Sequence, residues 1–200
     1  PPGAVRFDLR GADLRGDAGD RRGQRTGLTF VGGDEHEVLR ELRAIEEIKA
    51  LKYKYLRCLD TKDWEGIAEV FTPDATAAYS GGAYSATGRD EIVGFLVRNM
   101  GAETFHSSHR CTHPEITVDG DTASGTWALD DTVIDTTLGI LIQGAAFYGD
   151  TYVRVGDRWL ISSTGYRRSF EYLVPLADLP NLTLTASWWA TGGSSTLPAG

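Results

Sequence analysis

The sequence predicts an α+β fold, in which helices come first along the chain and long antiparallel strands follow. The first observation is a helical period over residues 35–59, where apolar side chains recur every three or four positions. The second is a pair of long β-hairpins after Gly101, whose turns are marked by Asp119-Gly120-Asp121 and Gly156-Asp157. This order differs from the regular strand–helix alternation of a parallel sheet.

The helical half of the chain contains three predicted helices. The first is amphipathic, and Gly32-Gly33-Asp34 supplies a stop and a cap before it. A short second helix opens at Asp63-Trp64 and is ended by Pro73-Asp74. Gly88-Arg89-Asp90 leads into the third. The apolar stripe of the first helix consists of Ile45, Ile48, Leu51, Tyr55 and Leu59.

The strands form one short pair and two long hairpins. Gly81-Gly82 is a plausible turn for the short pair. Small residues between Gln143 and Gly149 predict bending of that strand and space for a cavity beside it. The predicted strands cover residues 76–79, 84–87, 110–118, 122–134, 141–155 and 158–172.

We expect one domain over residues 34–174, with a flexible tail over 1–33 and a C-terminal extension over 175–200. The tail alternates Arg, Asp and Gly, so it cannot bury enough apolar surface to offset the entropy of ordering it. The extension is rich in Pro, Gly and Ser and is interrupted by Trp188-Trp189.

The composition narrows the classes of partner. A hydrophobic fraction of 41% and a charged fraction of 24% are typical of a globular protein. A net charge of −8 argues against nucleic acid or anionic membrane as a partner, since both need a basic surface. Cys58 and Cys111 are the two cysteines, which predicts reduced thiols in a cytoplasmic protein rather than a disulfide framework or a zinc site.

Three histidines, His106, His109 and His113, lie close together at spacings that resemble a metal site. On a strand, however, His106 and His113 fall on opposite faces, and no cysteine or carboxylate nearby is an obvious third ligand. We therefore predict neither a metal nor another cofactor. His109 is then either a general base or a histidine whose polar atoms are satisfied in the core.

Three segments, taken in this order, resemble the SnoaL-like branch of the NTF2-like superfamily. They are IKALKYKYLRCLDTKDWEGIAEVFTPDATAAY, HSSHRCTHPEITVDGDTASGTWALDD and WLISSTGYRRSFE, and the resemblance covers about residues 38–172. It implies a cone, in which a curved antiparallel sheet wraps around one long and two shorter helices and encloses a ligand pocket. It also implies a homodimer or homotrimer.

Within that branch the chain resembles the group of bile-acid 7α-dehydratase and scytalone dehydratase. This resemblance implies that Tyr55, Asp60 and His109 occupy the catalytic positions. Asp131 and Arg167 fall at two further polar, substrate-binding positions. For Asp60, the alternative is a residue that ends the first helix or caps the second.

Strand register leaves other residues open at the substrate-binding positions. Asp130 and Arg168 are the alternatives one residue away. Phe147 or Tyr148 stands about where scytalone dehydratase would need a second pocket histidine, and we take Phe147 as a pocket residue. Trp127 is either another residue of the pocket or an aromatic of the core and cone wall.

A dyad of His109 and Asp60 predicts removal of a proton from carbon next to a carbonyl. Tyr55 would donate a hydrogen bond to the enolate oxygen, and a β-hydroxyl would then leave as water with help from protonated His109 or from Arg167. The expected protein is a cofactor-independent dehydratase, or an isomerase, acting on an apolar carbonyl compound of steroid or polyketide size.

The superfamily hosts many activities, so other functions stay open. The first alternative is a non-catalytic protein that binds a small molecule in the same pocket. The others are an epoxide hydrolase and the small subunit of a dioxygenase, for which Trp188-Trp189 is a candidate contact.

Overall fold

The computed structural model describes residues 34–198, so the tail predicted over 1–33 lies outside the described part of the chain. Asp34 caps the first helix by accepting the backbone N–H of His36 at 3.4 Å. That helix ends at Lys62, which has a left-handed backbone with φ 59°. The helices are α1 (Glu35–Thr61), α2 (Trp64–Ala68) and α3 (Arg89–Met100).

Six strands form one sheet in the order β2-β1-β6-β5-β4-β3. Four neighbouring pairs are antiparallel, but β1 and β6 are parallel, so the expected antiparallel sheet is a mixed one. The chain crosses through α3 to the far edge and returns by successive hairpins, which brings β6 beside β1 in the same direction. The strands are β1 (Phe71–Tyr79), β2 (Tyr84–Thr87), β3 (Phe105–Asp119), β4 (Thr122–Asp135), β5 (Ile140–Val155) and β6 (Arg158–Pro175).

Helix α2 is shorter than predicted because the chain is already a strand at Phe71. Pro73 lies inside β1, where the pairing with β6 is irregular between Phe71 and Thr76. A proline can occupy a strand at such an interruption, since it has no N–H to donate to the ladder. Pro73 therefore marks a bulge rather than the end of a helix.

The core lies between α1 and the inner face of the sheet, which is the face that carries the buried side chains. Ile48, Tyr55 and Leu59 of the predicted stripe are buried there. A large apolar side chain contributes about 1.5–3 kcal/mol when it is fully buried. Lys52 lies on the same stripe and is completely buried, which the apolar pattern did not indicate.

Two bulges in β6 decide which of its side chains face the core. Tyr152 pairs with Ile161 but Thr151 pairs with Ser163, so Ser162 is an extra residue. Ser169 is a second extra residue, between the pairs made by Arg168 and Phe170. The alternation of side chains between the two faces of the sheet therefore shifts by one residue at each bulge. Trp159, Ile161, Thr164, Tyr166 and Arg168 face inward.

The segment after β6 forms a 3-10 turn over Leu176–Asp178 and is irregular to the end of the described residues. Trp188 is exposed there, and Ser187 is buried. Within residues 34–198, no helix combines the length and the apolar composition needed to cross a bilayer.

Candidate functional site

Asp60 of α1 and His109 of β3 form a hydrogen-bonded pair. Asp60 Oδ1 lies 2.7 Å from His109 Nδ1, and Asp60 Oδ2 accepts the backbone N–H of His109 at 2.8 Å. Because the carboxylate binds both the ring and the main chain, it holds the imidazole in one orientation. A carboxylate can only accept, so Nδ1 carries a proton, and in the neutral imidazole Nε2 keeps a lone pair. This is the arrangement of a carboxylate-oriented general base.

Ser107 and Lys62 extend this pair, and sequence analysis did not identify either of them. Ser107 Oγ donates to Asp60 Oδ1 at 2.9 Å, and Lys62 Nζ donates to Ser107 Oγ at 3.2 Å. Ser107 is two residues before His109 on β3, so both side chains reach Asp60 from one face of the strand. The i, i+2 spacing of Ser107 and His109 could have indicated that Ser107 shares the face of His109, but no pattern near Lys62 indicated its part in the site.

Asp131 and Arg168 form an ion pair on the same inner face. Arg168 Nη2 donates to Asp131 Oδ2 at 2.8 Å, and Arg168 Nη1 makes a second contact with Oδ1. Asp131 is the cross-strand partner of His109, so the two side chains are neighbours on adjacent strands. Gly144 lies between Asp131 and β6, where a Cβ would come within 2.8 Å of the backbone carbonyl oxygen of Phe170 and within 3.1 Å of Arg168 Nη1. The strand between these charges therefore needs a glycine.

Arg167 and Phe147 are not on the inner face, contrary to expectation. Counting alternate residues from Trp159 and Ile161 puts Arg167 inward, but the extra residue Ser162 moves that orientation to Arg168. Arg167 is exposed and pairs across the strands with Phe147, which is also exposed.

Both residues line an open groove of about 600 Å³ on the outer face of the sheet. The sheet separates this groove from Asp60 and His109. The register alternative Arg168 is thus the arginine beside Asp131, and Tyr148 is the inward neighbour of Phe147. Asp130, the other register alternative, is exposed.

Tyr55 is completely buried, and its hydroxyl lies 3.1 Å from the hydroxyl of Tyr79. Burial, reinforced by Tyr148 and Tyr79, raises the pKa of Tyr55 well above its usual range, so its hydroxyl stays neutral. One shared hydrogen bond uses only one of the two protons, which leaves one of the hydroxyls a proton to donate elsewhere. Within the described residues, no hydrogen bond joins Tyr55 to Asp60 or His109.

Trp127 belongs to the core. It has no exposed surface, and its indole N–H donates to the hydroxyl of Tyr152 at 2.9 Å. Tyr152 donates in turn to Asp150, which also accepts from Thr164. Of the two interpretations of Trp127, the core aromatic fits this placement better than the pocket residue.

The histidines do not form a cluster. His113 lies at a bulge of β3 with φ 51°, is exposed, and contacts Thr112. Residues 34–198 contain no group of three His, Cys, Asp or Glu side chains placed to hold a metal ion. The polar groups that neighbour His109 on the inner face are Asp60, Ser107 and the Asp131–Arg168 pair.

Comparison with known proteins places the chain in a family. Residues 40–165 match the SnoaL-like domain, and the chain belongs to this SnoaL-like family of the NTF2-like superfamily.

Solved structures of low sequence identity share the fold. A scytalone dehydratase candidate from Novosphingobium aromaticivorans is 23% identical, with a TM-score of 0.61 over 66% of this chain and 87% of that one. A type 2 hexachlorocyclohexane dehydrochlorinase, LinA, is 18% identical, with a TM-score of 0.61 over 69% of this chain and 93% of that one.

A variant of Rv3472, a protein of unknown function from Mycobacterium tuberculosis, is 26% identical. Its TM-score is 0.58, and the alignment covers 74% of this chain and 82% of that one. Together these similarities show an NTF2-like α+β cone, a fold that hosts many different functions.

Proposed function

We propose that this protein is a cofactor-independent dehydratase or isomerase that removes a proton from carbon next to a carbonyl. The observation that carries the proposal is the contact of 2.7 Å between Asp60 and His109, whose side chains are 23% and 9% exposed. A histidine that is held by a carboxylate and largely removed from water is suited to act as a general base. No cofactor is part of the proposed reaction.

The proton would move from the α-carbon to Nε2 of His109, and the electron pair of that C–H bond would form the enolate. A hydroxyl of the Tyr55–Tyr79 pair would donate a hydrogen bond to the enolate oxygen. In dehydration, the enolate expels the β-hydroxyl, which takes the proton from His109 and leaves as water. In isomerisation, the same proton returns to a different carbon.

In this proposal Arg168, rather than Arg167, helps the β-hydroxyl to leave as water. Arg168 lies on the inner face with Asp131, the cross-strand neighbour of His109. A guanidinium keeps its positive charge throughout the working pH range, so it can stabilise negative charge on the leaving oxygen.

Apolar side chains beside the proposed base support an apolar substrate. They form a row of cross-strand partners that runs across the sheet next to the pair His109 and Asp131. Val133, Ile142 and Leu173 are successive cross-strand partners beginning beside Ser107. Ile142 is half-buried and Leu173 is exposed, so apolar surface remains uncovered within one row of the proposed base. A flat carbonyl compound of steroid or polyketide size would cover that row.

The test is deuterium uptake from heavy water into a panel of steroid and polyketide-like ketones. We expect uptake at the carbon beside the carbonyl with the wild-type protein and its loss in His109→Ala. His113→Asn is the matched control, because it changes an exposed histidine on the same strand and asparagine tolerates the left-handed backbone there. Equal uptake in wild type and His109→Ala would rule out His109 as the base.

A non-catalytic binding protein is the second candidate function. It is favoured by the Asp131–Arg168 pair, whose charges are already satisfied by one another and need no reacting group. Binding of a ketone by calorimetry, together with no deuterium uptake across the panel, would support this candidate over the enzyme.

A further inference from the structure

Lys62 is a buried cation next to the Asp60–His109 pair. It ends α1 in the left-handed conformation, and only 6% of its surface is exposed. Its Nζ donates to Ser107 Oγ at 3.2 Å and lies 4.9 Å from the centre of the Phe105 ring. In the part of the chain that the structure describes, no carboxylate oxygen lies within ion-pair distance of this ammonium.

A chain of hydrogen bonds runs from Lys62 through Ser107 and Asp60 to His109, and the chemistry of these groups fixes which atom donates in each bond. An ammonium can only donate, so Ser107 Oγ must accept from Lys62 and direct its own proton to Asp60. Asp60 therefore accepts three bonds, from the Ser107 hydroxyl and from the ring and backbone of His109. Each bond restricts the rotation of the carboxylate that orients the imidazole.

We propose that Lys62 is a positioning residue for the Asp60–His109 pair and acts through the hydroxyl of Ser107. The catalytic consequence rests on the proposed function, in which His109 is the base. The positioning itself is a property of the protein without substrate and can be measured without any turnover.

The protonation state of Lys62 matters because a neutral amine has a lone pair. Burial lowers the pKa of Lys62 to about 8, against the opposing effect of Asp60. Once the amine is neutral, Ser107 can donate to Nζ instead of to Asp60. The hydrogen bond from Ser107 to Asp60 is then no longer enforced. Among the other titratable groups, Asp63 follows Lys62 in the chain and contacts Cys58 and Gly66. On β3, His106 and His109 flank Ser107, and burial together with Lys62 lowers the pKa of His106.

The experiment follows the Nδ1 proton of His109 by NMR in the ligand-free protein as the pH is raised. In wild type we expect a downfield resonance that broadens above about pH 8, as Lys62 loses its proton. In Lys62→Arg the resonance should persist at about pH 10, because a guanidinium stays protonated. In Lys62→Met it should be broadened throughout, whereas Lys49→Met, a control on the same helix, should behave as wild type.

Deuterium uptake into a ketone that the wild-type protein exchanges gives a second readout. Uptake should fall about tenfold in Lys62→Met and recover in Lys62→Arg without the alkaline decline, as expected for a residue that orients a catalytic histidine. Ser107→Ala should match Lys62→Met, and the double variant should lose nothing further, because both residues act through one contact.

An unchanged Nδ1 resonance and an unchanged pH profile in both Lys62→Met and Ser107→Ala would overturn the inference. If the resonance depends on Lys62 as expected but no ketone exchanges deuterium with the wild-type protein, the positioning stands. That result would reject only the proposed function.

Discussion

Lys52 and Asp150 form an ion pair in the core, and neither side chain has any exposed surface. Lys52 Nζ lies 2.7 Å from Asp150 Oδ2 without hydrogen-bond geometry, so the contact is ionic. The ammonium also lies 3.4 Å from the centre of the Tyr148 ring. The carboxylate accepts from Tyr152 and Thr164, so each charge has several partners. Such a pair is costly to break from one side only.

Asp150→Asn should therefore destabilise the protein by about 3–5 kcal/mol, because it leaves Lys52 charged and buried without its counter-ion. Urea unfolding measures the loss. Lys52→Met combined with Asp150→Asn should recover part of it, since no unpaired charge remains. A single variant within about 0.5 kcal/mol of wild type would contradict this account of the core.

Asp60→Asn should leave the fold intact and reduce deuterium uptake by more than about tenfold. Asparagine offers one accepting oxygen where Asp60 accepts three bonds, and its amide group would face a donor. Circular dichroism checks the fold, and the uptake assay checks the activity. Full activity in this variant would remove Asp60 from the proposed mechanism.

Arg168→Leu and Arg167→Leu separate the two faces of β6. The first should destabilise the protein by about 3 kcal/mol and lower uptake, because it leaves Asp131 buried without its partner. The second changes an exposed side chain, so stability should stay within about 0.5 kcal/mol. Thermal unfolding and the uptake assay compare the two variants, and equal effects would contradict the assignment of Arg168 to the inner face.

Lys62→Met should stabilise the protein at pH 7 while it lowers activity. Burial lowers the pKa of Lys62 from 10.5 to about 8, so between these values the unfolded chain binds the proton more tightly than the folded chain. Lys62 therefore makes stability rise with pH in that window and disfavours folding below it.

The gap in stability between Lys62→Met and wild type, measured by urea unfolding, should therefore narrow as the pH is raised from 7 to about 10. A loss of stability in Lys62→Met at pH 7 would indicate that Lys62 serves the fold rather than the site.

Self-association, expected from the family resemblance, has a candidate surface on the outer face of β5 and β6. Phe147, Phe170 and Tyr172 are exposed there. Adjacent exposed aromatic side chains favour contact with another protein surface. Phe170→Ser should lower the mass measured by sedimentation equilibrium, with Leu197→Ser as a control in the C-terminal segment. A wild-type protein that sediments as a monomer would contradict the expectation.

Much of the fold followed from local signals in the sequence. The period of α1 and the two hairpin turns, Asp119-Gly120-Asp121 and Gly156-Asp157, depend on residues a few positions apart, and the structure contains each of these elements. The end of α2 was misplaced because Pro73 breaks a helix and also fits a strand bulge. The parallel pairing of β1 with β6 joins distant parts of the chain, so no local pattern indicated it.

The sequence by itself determined the order of elements, the family, and the residues of α1 and β3 that form the Asp60–His109 contact. Only the tertiary structure decided which arginine lies beside Asp131, because the bulge at Ser162 shifts the alternation of β6 by one residue. It also decided that Lys52 and Lys62 are buried and which groups they meet. Periodicity reports which face of an element a residue occupies, whereas a buried charge depends on partners that folding brings from other strands and helices.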